Sequence, residues 1–333
     1  MQSRLSKLID NLQQKKVLII GDMVADIYLY GEIERISREA PVLILQYDKE
    51  KIIPGGATNV VHNAATMGGK IWAVGLLAHE AAGDELRRTL AAKGVVTDGF
   101  IAEEGRPTVT KTRIIAGGQA TVSQQVVRID RSDTRPILPE TEERILDYLA
   151  EVLPQMDGVV MSDYGSGTIT PRIRDYIIAT CRKRGIVSIV DSRYDIASFR
   201  RVHYVKQNEA EASEATGIHI QDDASLLAAG EKLLAMMDAD GILISRGADG
   251  MSLFEANGAV HHIPVTNVSE VFDVSGAGDT VVAVMILALA AGEKPHLAAT
   301  AANLAAGIAV RKLGTATVSA DELRAAVRDY YDC

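Results

Sequence analysis

Five short apolar runs with frequent β-branched residues, at 17–21, 71–77, 158–162, 187–191 and 241–245, and a sixth, more polar one at 204–207, recur along the chain with longer helix-like stretches between them. The runs lack the apolar–polar alternation of a half-exposed strand. Both of their faces must therefore be covered, which is the condition of parallel strands inside a sheet flanked by helices. Helical patterns at 56–67, 82–93, 140–153, 171–184, 208–216, 224–237, 277–291, 295–312 and 319–330 supply that cover. The alternation predicts an α/β fold, a doubly wound, mostly parallel sheet with helices on both faces. Two segments, about 28–48 and 108–130, break the pattern with strand-like stretches and no helix between them. They are expected to pair as a small β-sheet lid over the ligand edge of a single domain spanning 1–333, and to offer an edge through which two copies form a homodimer.

With 47% hydrophobic residues in 333, the chain can bury one large core. Its 44 acidic residues outnumber 35 basic ones, and the basic ones are scattered, which argues against a nucleic-acid partner. Cys181 and Cys333 stand far apart with no metal-ligand spacing, so neither a disulfide framework nor a zinc motif is indicated and a cytoplasmic location is expected. The polar N-terminal stretch has no apolar signal core, and the longest apolar run, 281–291, is too short for a membrane span.

Asp273-Val-Ser-Gly276-Ala277-Gly278-Asp279 leads directly into an uncharged apolar helix. The free N–H groups of a glycine-rich helix start form an anion site suited to phosphoryl oxygens. A carboxylate beside it, Asp279, is placed to accept the proton of an attacking alcohol. Asp is equally common at helix starts for capping alone, so the segment has two readings. Pro54-Gly55-Gly56-Ala57-Thr58-Asn59 opens a second helix with neutral donors and acceptors, which suit sugar hydroxyls, although an ordinary tight turn has the same composition. Asp22 follows the first strand, at the end where such sheets bind ligands, and Asp26 is expected one helical turn further on. No GxxxxGK[ST], HExxH or GxSxG occurs, and Gly276-Ala277-Gly278 lacks the third glycine of a dinucleotide fingerprint.

On these two glycine segments the sequence resembles the ribokinase-like (PfkB) carbohydrate kinases across residues 15–330. The resemblance implies an ATP-dependent sugar kinase: Gly276, Ala277 and Gly278 as the anion hole, Asp279 as the base, and Asp22, Gly55, Gly56 and Asn59 against the sugar. It implies Mg²⁺ organised by Asn208 and Glu211, largely through water, and nucleotide contacts from Ser245, Arg246, Gly247, Gly250 and Asn303. Asn208 as a helix cap and Asn303 as a polar core residue are the plainer readings. Within the family the likeness runs toward the heptose 7-phosphate kinases, through Arg35-Ile-Ser-Arg-Glu-Ala-Pro, Thr110-Lys-Thr-Arg113, Arg128-Ile-Asp and Ser162-Asp-Tyr164. It implies conversion of heptose 7-phosphate to the 1,7-bisphosphate, with Arg35, Lys111, Arg113 and Arg128 meeting the substrate phosphate. Ser166 and Arg193 depart from the lysines of that group, which leaves open another sugar phosphate, a free sugar, fructose 6-phosphate or a nucleoside as acceptor. A non-catalytic sugar sensor on the same fold is the alternative from outside enzymology.

Overall fold

The computed structural model describes residues 2–117, 123–265 and 273–332. Its main sheet has nine strands. In spatial order they are β13 (Val260–Ile263), β12 (Met251–Glu255), β11 (Gly241–Ser245), β10 (Tyr204–Asn208), β9 (Val187–Ser192), β8 (Gly158–Asp163), β1 (Lys16–Gly21), β4 (Lys70–Leu76) and β5 (Val96–Ile101). All neighbours from β11 to β5 pair in parallel, whereas β12 and β13 extend the edge as antiparallel strands. The six expected strands are all present. β5 and β13 escape a reading based on apolar runs because they lie at the sheet's edges, where polar residues are tolerated, and β12 because Ser252 interrupts its apolar run.

The alternation of β1 shows why its sequence is apolar throughout. Val17 and Ile19 face one core while Leu18 and Ile20 face the other, all of them fully buried. The first core is built with α1 (Gln2–Leu12), α2 (Ala57–Thr66), α3 (Ala81–Ala91), α8 (Ala277–Ala290), α9 (Pro295–Ala309) and α10 (Ala320–Asp332). The second is built with α4 (Pro139–Val152), α5 (Pro171–Arg184), α6 (Glu209–Thr216) and α7 (Asp223–Met237). Helix α8 is buried on every side from Asp279 to Leu289, packed among α2, α9 and the sheet, which accounts for its lack of charge. No helix among the described residues is long and apolar enough to cross a membrane.

The segments that break the strand–helix alternation form a second sheet of order β3-β2-β6-β7, from β2 (Met23–Ile36), β3 (Leu43–Gly56), β6 (Val109–Gly117) and β7 (Gln124–Arg131). Two antiparallel hairpins, β2–β3 and β6–β7, join through a parallel β2–β6 pairing. The strands run further toward the main body than 28–48 suggests, and Asp26 lies in β2, not on a helical turn. Residues 118–122 of the expected 108–130 segment lie outside the described residues.

Candidate active site

The carboxyl ends of β1, β8, β9 and β10 deliver Asp22, Asp163, Asp191 and Asn208 to one edge of the sheet, where the strand order reverses between β1 and β8. Asp22 is 1% exposed. Its carboxylate accepts the backbone N–H groups of Tyr164 (2.8 Å), Ser166 (2.9 Å) and Thr168 (3.3 Å), so it shapes the loop after β8. Arg106 holds the same loop from behind, donating to the carbonyls of Ser166, Arg135 and Pro136 and pairing with Glu103.

Asp279 sits in the first turn of α8, 6% exposed. Asn59 Nδ2 donates to its Oδ2 and the Tyr164 hydroxyl to its Oδ1, both at 2.8 Å. Burial, reinforced by Asp191 and opposed by Asn59, Tyr164 and Lys206, pushes its carboxyl up to about 6. Gly276 caps the helix in the left-handed region at φ 78°, and a Cβ there would stand 2.5 Å from Asn59 Nδ2. A Cβ on Gly278 would stand 2.8 Å from Lys206 Nζ. Gly276 is thus favoured by its left-handed backbone and the approach of Asn59, whereas at Gly278 a Cβ would displace the end of the Lys206 side chain.

Lys206, in the middle of buried β10, bonds Asp191 Oδ2 at 3.0 Å. Burial works against its charge, but Asp191, Glu211 and Asp279 outweigh it and hold the ammonium above its usual range. Lys206, Asp191, Glu211, Arg193, Gly276, Gly278 and Asp279 line one cleft of about 120 Å³ together with Asp163 and Tyr164. Tyr164 and Arg193 also border a second cavity of about 420 Å³, which is lined by Lys111, Arg128 and Ser166 among others. The Lys111 ammonium lies 5.1 Å from the centre of the Tyr164 ring. A cationic cavity therefore opens directly beside the carboxylate.

Not every expected residue is brought here. Arg113 is paired with buried Asp26 at 2.6 Å, and Arg35 stands half-exposed near the far end of β2 beside Glu34. Arg128 borders the cavity while forked onto Asp130. Gly55 and Gly56 serve close packing: a Cβ on Gly55 would fall 2.5 Å from Asp26 Oδ2, and Gly56 caps α2 at φ 52°. Asn208 and Glu211 form a reciprocal cap of α6 at 2.8 Å in each direction, while Glu211 also lines the cleft. Ser245, Arg246, Gly247 and Gly250 lie at the carboxyl end of β11, with the Arg246 guanidinium held by Glu209 and Asp223. Asn303 donates to the Pro264 carbonyl at 2.7 Å. Sequence reasoning passed over Lys206, Asp191 and Arg106. A lysine inside an apolar parallel strand is itself the signal for the first two, because such a charge must have an acidic partner.

Comparison with known proteins bears on this arrangement at two levels. The chain is 42% identical over 315 residues to the bifunctional protein HldE of Desulfatibacillum aliphaticivorans, covering 94% of this chain and 63% of that one. It is 42% identical over 307 residues to HldE of Geobacter sulfurreducens, covering 92% and 61%. The chain thus spans about three-fifths of the length of these relatives. Among solved structures it is similar to Arabidopsis thaliana ribokinase complexed with ribose and ATP (TM-score 0.73, 18% identity, 95% of this chain and 99% of that one). It is also similar to Escherichia coli phosphofructokinase-2 in complex with substrates and products (TM-score 0.77, 18% identity, 96% and 99%). At that identity the structural likeness speaks for the fold, which is ribokinase-like. The sequence pattern of the pfkB family carbohydrate kinases matches residues 14–322, nearly the whole chain. This chain belongs to the pfkB family of carbohydrate kinases.

Proposed function

We propose that the protein transfers the γ-phosphoryl group of ATP to a sugar-phosphate hydroxyl, with heptose 7-phosphate as acceptor, heptose 1,7-bisphosphate as product and Asp279 as the general base. The observation that carries this reading is the buried Asp279 carboxylate, raised to about 6, at the seam between a carboxylate-and-lysine cleft and a cationic cavity. A base with that affinity is ionised at neutral pH yet accepts a proton readily. The acceptor hydroxyl takes the position at Oδ1 that Tyr164 fills, and its proton passes to Asp279 as its oxygen attacks phosphorus. The first-turn N–H of Gly278, with Lys206, offsets charge on the transferred group, and the Ala277 N–H joins it by leaving the Val274 carbonyl, 3.3 Å away. The distal phosphate of the acceptor fits the cavity of Lys111, Arg128 and Arg193, where arginine replaces the lysine of the heptose kinases.

Asp163, Asp191 and Glu211 line the cleft with hard oxygens that do not converge on one point, so Mg²⁺ would be held there largely through water. Bound there, the ion would screen the charge of the nucleotide phosphates. Asn208 contributes by fixing Glu211. The adenosine end lies along the 245–250 loop and Asn303. The second sheet acts as the lid that excludes water. Its outward residues Ile36, Leu43, Tyr47, Val127 and Ile129, with Val42 in the β2–β3 connection, are exposed apolar groups, which favours a homodimer through this sheet.

The test is ATP consumption with Mg²⁺ across sugars and sugar phosphates, products identified by mass spectrometry, beside Asp279→Asn. Saturable formation of a bisphosphate from heptose 7-phosphate is expected, with turnover reduced about 10²–10⁴-fold in the variant and ATP affinity retained. Turnover only on a different acceptor would remove the heptose; substantial activity in Asp279→Asn would remove the base.

A further inference from the structure

Away from the cleft, Glu255, His261 and His296 each bring one potential ligand atom to within 4.8 Å of the other two. They come from three elements: Glu255 ends β12, His261 lies on β13, and His296 follows Pro295 in the first turn of α9. His261 Nε2 stands 3.0 Å from Glu255 Oε1, and the two imidazole rings are 5.1 Å apart at their centres with planes 30° from parallel. β12 runs antiparallel to β11 and pairs Glu255 with Gly241, so the cluster lies at the amino end of β11. Asp279 and the cleft stand at the opposite edge of the sheet. His262, one residue on, turns to the other face and meets the hydroxyl of buried Ser252 at 2.9 Å.

An ion pair accounts for Glu255 and His261 but not for a second imidazole against the first. Tetrahedral bonds of about 2.0–2.2 Å put neighbouring ligand atoms about 3.3–3.6 Å apart, so the His261–Glu255 pair, at 3.0 Å, stands within about 0.5 Å of the needed spacing. His296 has to close by at most about 1.5 Å, within reach of a rotation of partly exposed side chains. We propose that Glu255, His261 and His296 bind a divalent transition cation, Zn²⁺ foremost, with water completing the coordination. Two imidazole nitrogens disfavour Mg²⁺, so this ion is distinct from the one that accompanies ATP. Once bound, it ties the β12–β13 edge hairpin to α9.

The experiment uses the full chain stripped with EDTA, titrated with ZnCl₂ by calorimetry and with CoCl₂ by visible absorption, in excess Mg²⁺ and without nucleotide. One equivalent per chain is expected, with a raised Tm. His261→Gln, His296→Gln and Glu255→Gln should each weaken binding about tenfold or more, whereas His262→Gln should leave it unchanged. Absence of binding below millimolar metal overturns the proposal. So does an equivalent bound with unaltered affinity by the His261→Gln/His296→Gln double variant.

Discussion

Asp279 meets the cleft with both carboxylate oxygens already accepting hydrogen bonds, from Asn59 and from Tyr164. These donors favour the ionised form, while burial and Asp191 favour the protonated one and prevail. Two consequences have opposite signs. As a base the group must be ionised, so kcat/KM for the acceptor should fall about tenfold per pH unit below about 6. Tyr164→Phe removes one of the donors that lower the value and should move this acid limb to higher pH; an unmoved limb would assign it to another group. For stability, a carboxyl raised from 3.8 to about 6 binds more protons in the folded than in the unfolded chain across that window. Its contribution to stability is therefore lost as pH rises through it. The pH dependence of unfolding free energy, compared between the native chain and Asp279→Asn, should differ between pH 4 and 6 and run parallel above, as read from denaturant titrations.

At the scale of elements, the site depends on where two helices begin. α8 starts at a left-handed Gly276 packed on Asn59, so Gly276→Ala introduces about 1–2 kcal/mol of backbone strain and displaces Asn59 from Asp279. Turnover should collapse while Tm falls by only a few degrees. Equal losses of both would make the turn a folding element alone. The central strands are the converse case. Ile19 of β1 is fully buried between α-helical cover and neighbouring strands, so Ile19→Ala should cost about 2–5 kcal/mol in denaturant unfolding with the remaining folded enzyme still active. Strands of this kind were readable because burial of both faces favours an unbroken apolar run, as in β1. β13 was not, because an antiparallel edge strand carries residues such as His261 and His262 without penalty, and β12 was not, because buried Ser252, which meets His262, interrupts its apolar run.

Across the whole molecule, the second sheet leaves one face of apolar residues uncovered, with Ile129 56% and Ile36 66% exposed. If two copies meet there, Ile129→Asp should convert a dimer to a monomer in sedimentation velocity without loss of secondary structure; a monomeric native chain would end that reading. The sequence by itself determined the fold class, since period and composition of the buried strands admit few other architectures, and it determined the glycine-led start of α8 with Asp279 beside it. It also marked Asn208, whose capping box with Glu211 is a local three-residue event. What it left undecided depends on partners far away in the chain. Asp22 is turned toward the 164–168 loop, Arg113 is neutralised by Asp26, and Asp279 is met by Asn59 across 220 positions. Only the tertiary structure could say that Arg35 stands apart from the cavity while Arg193 borders it. The physical reason is that hydrogen bonds and charges act over a few ångströms in space, whereas periodicity and capping act over a few residues along the chain.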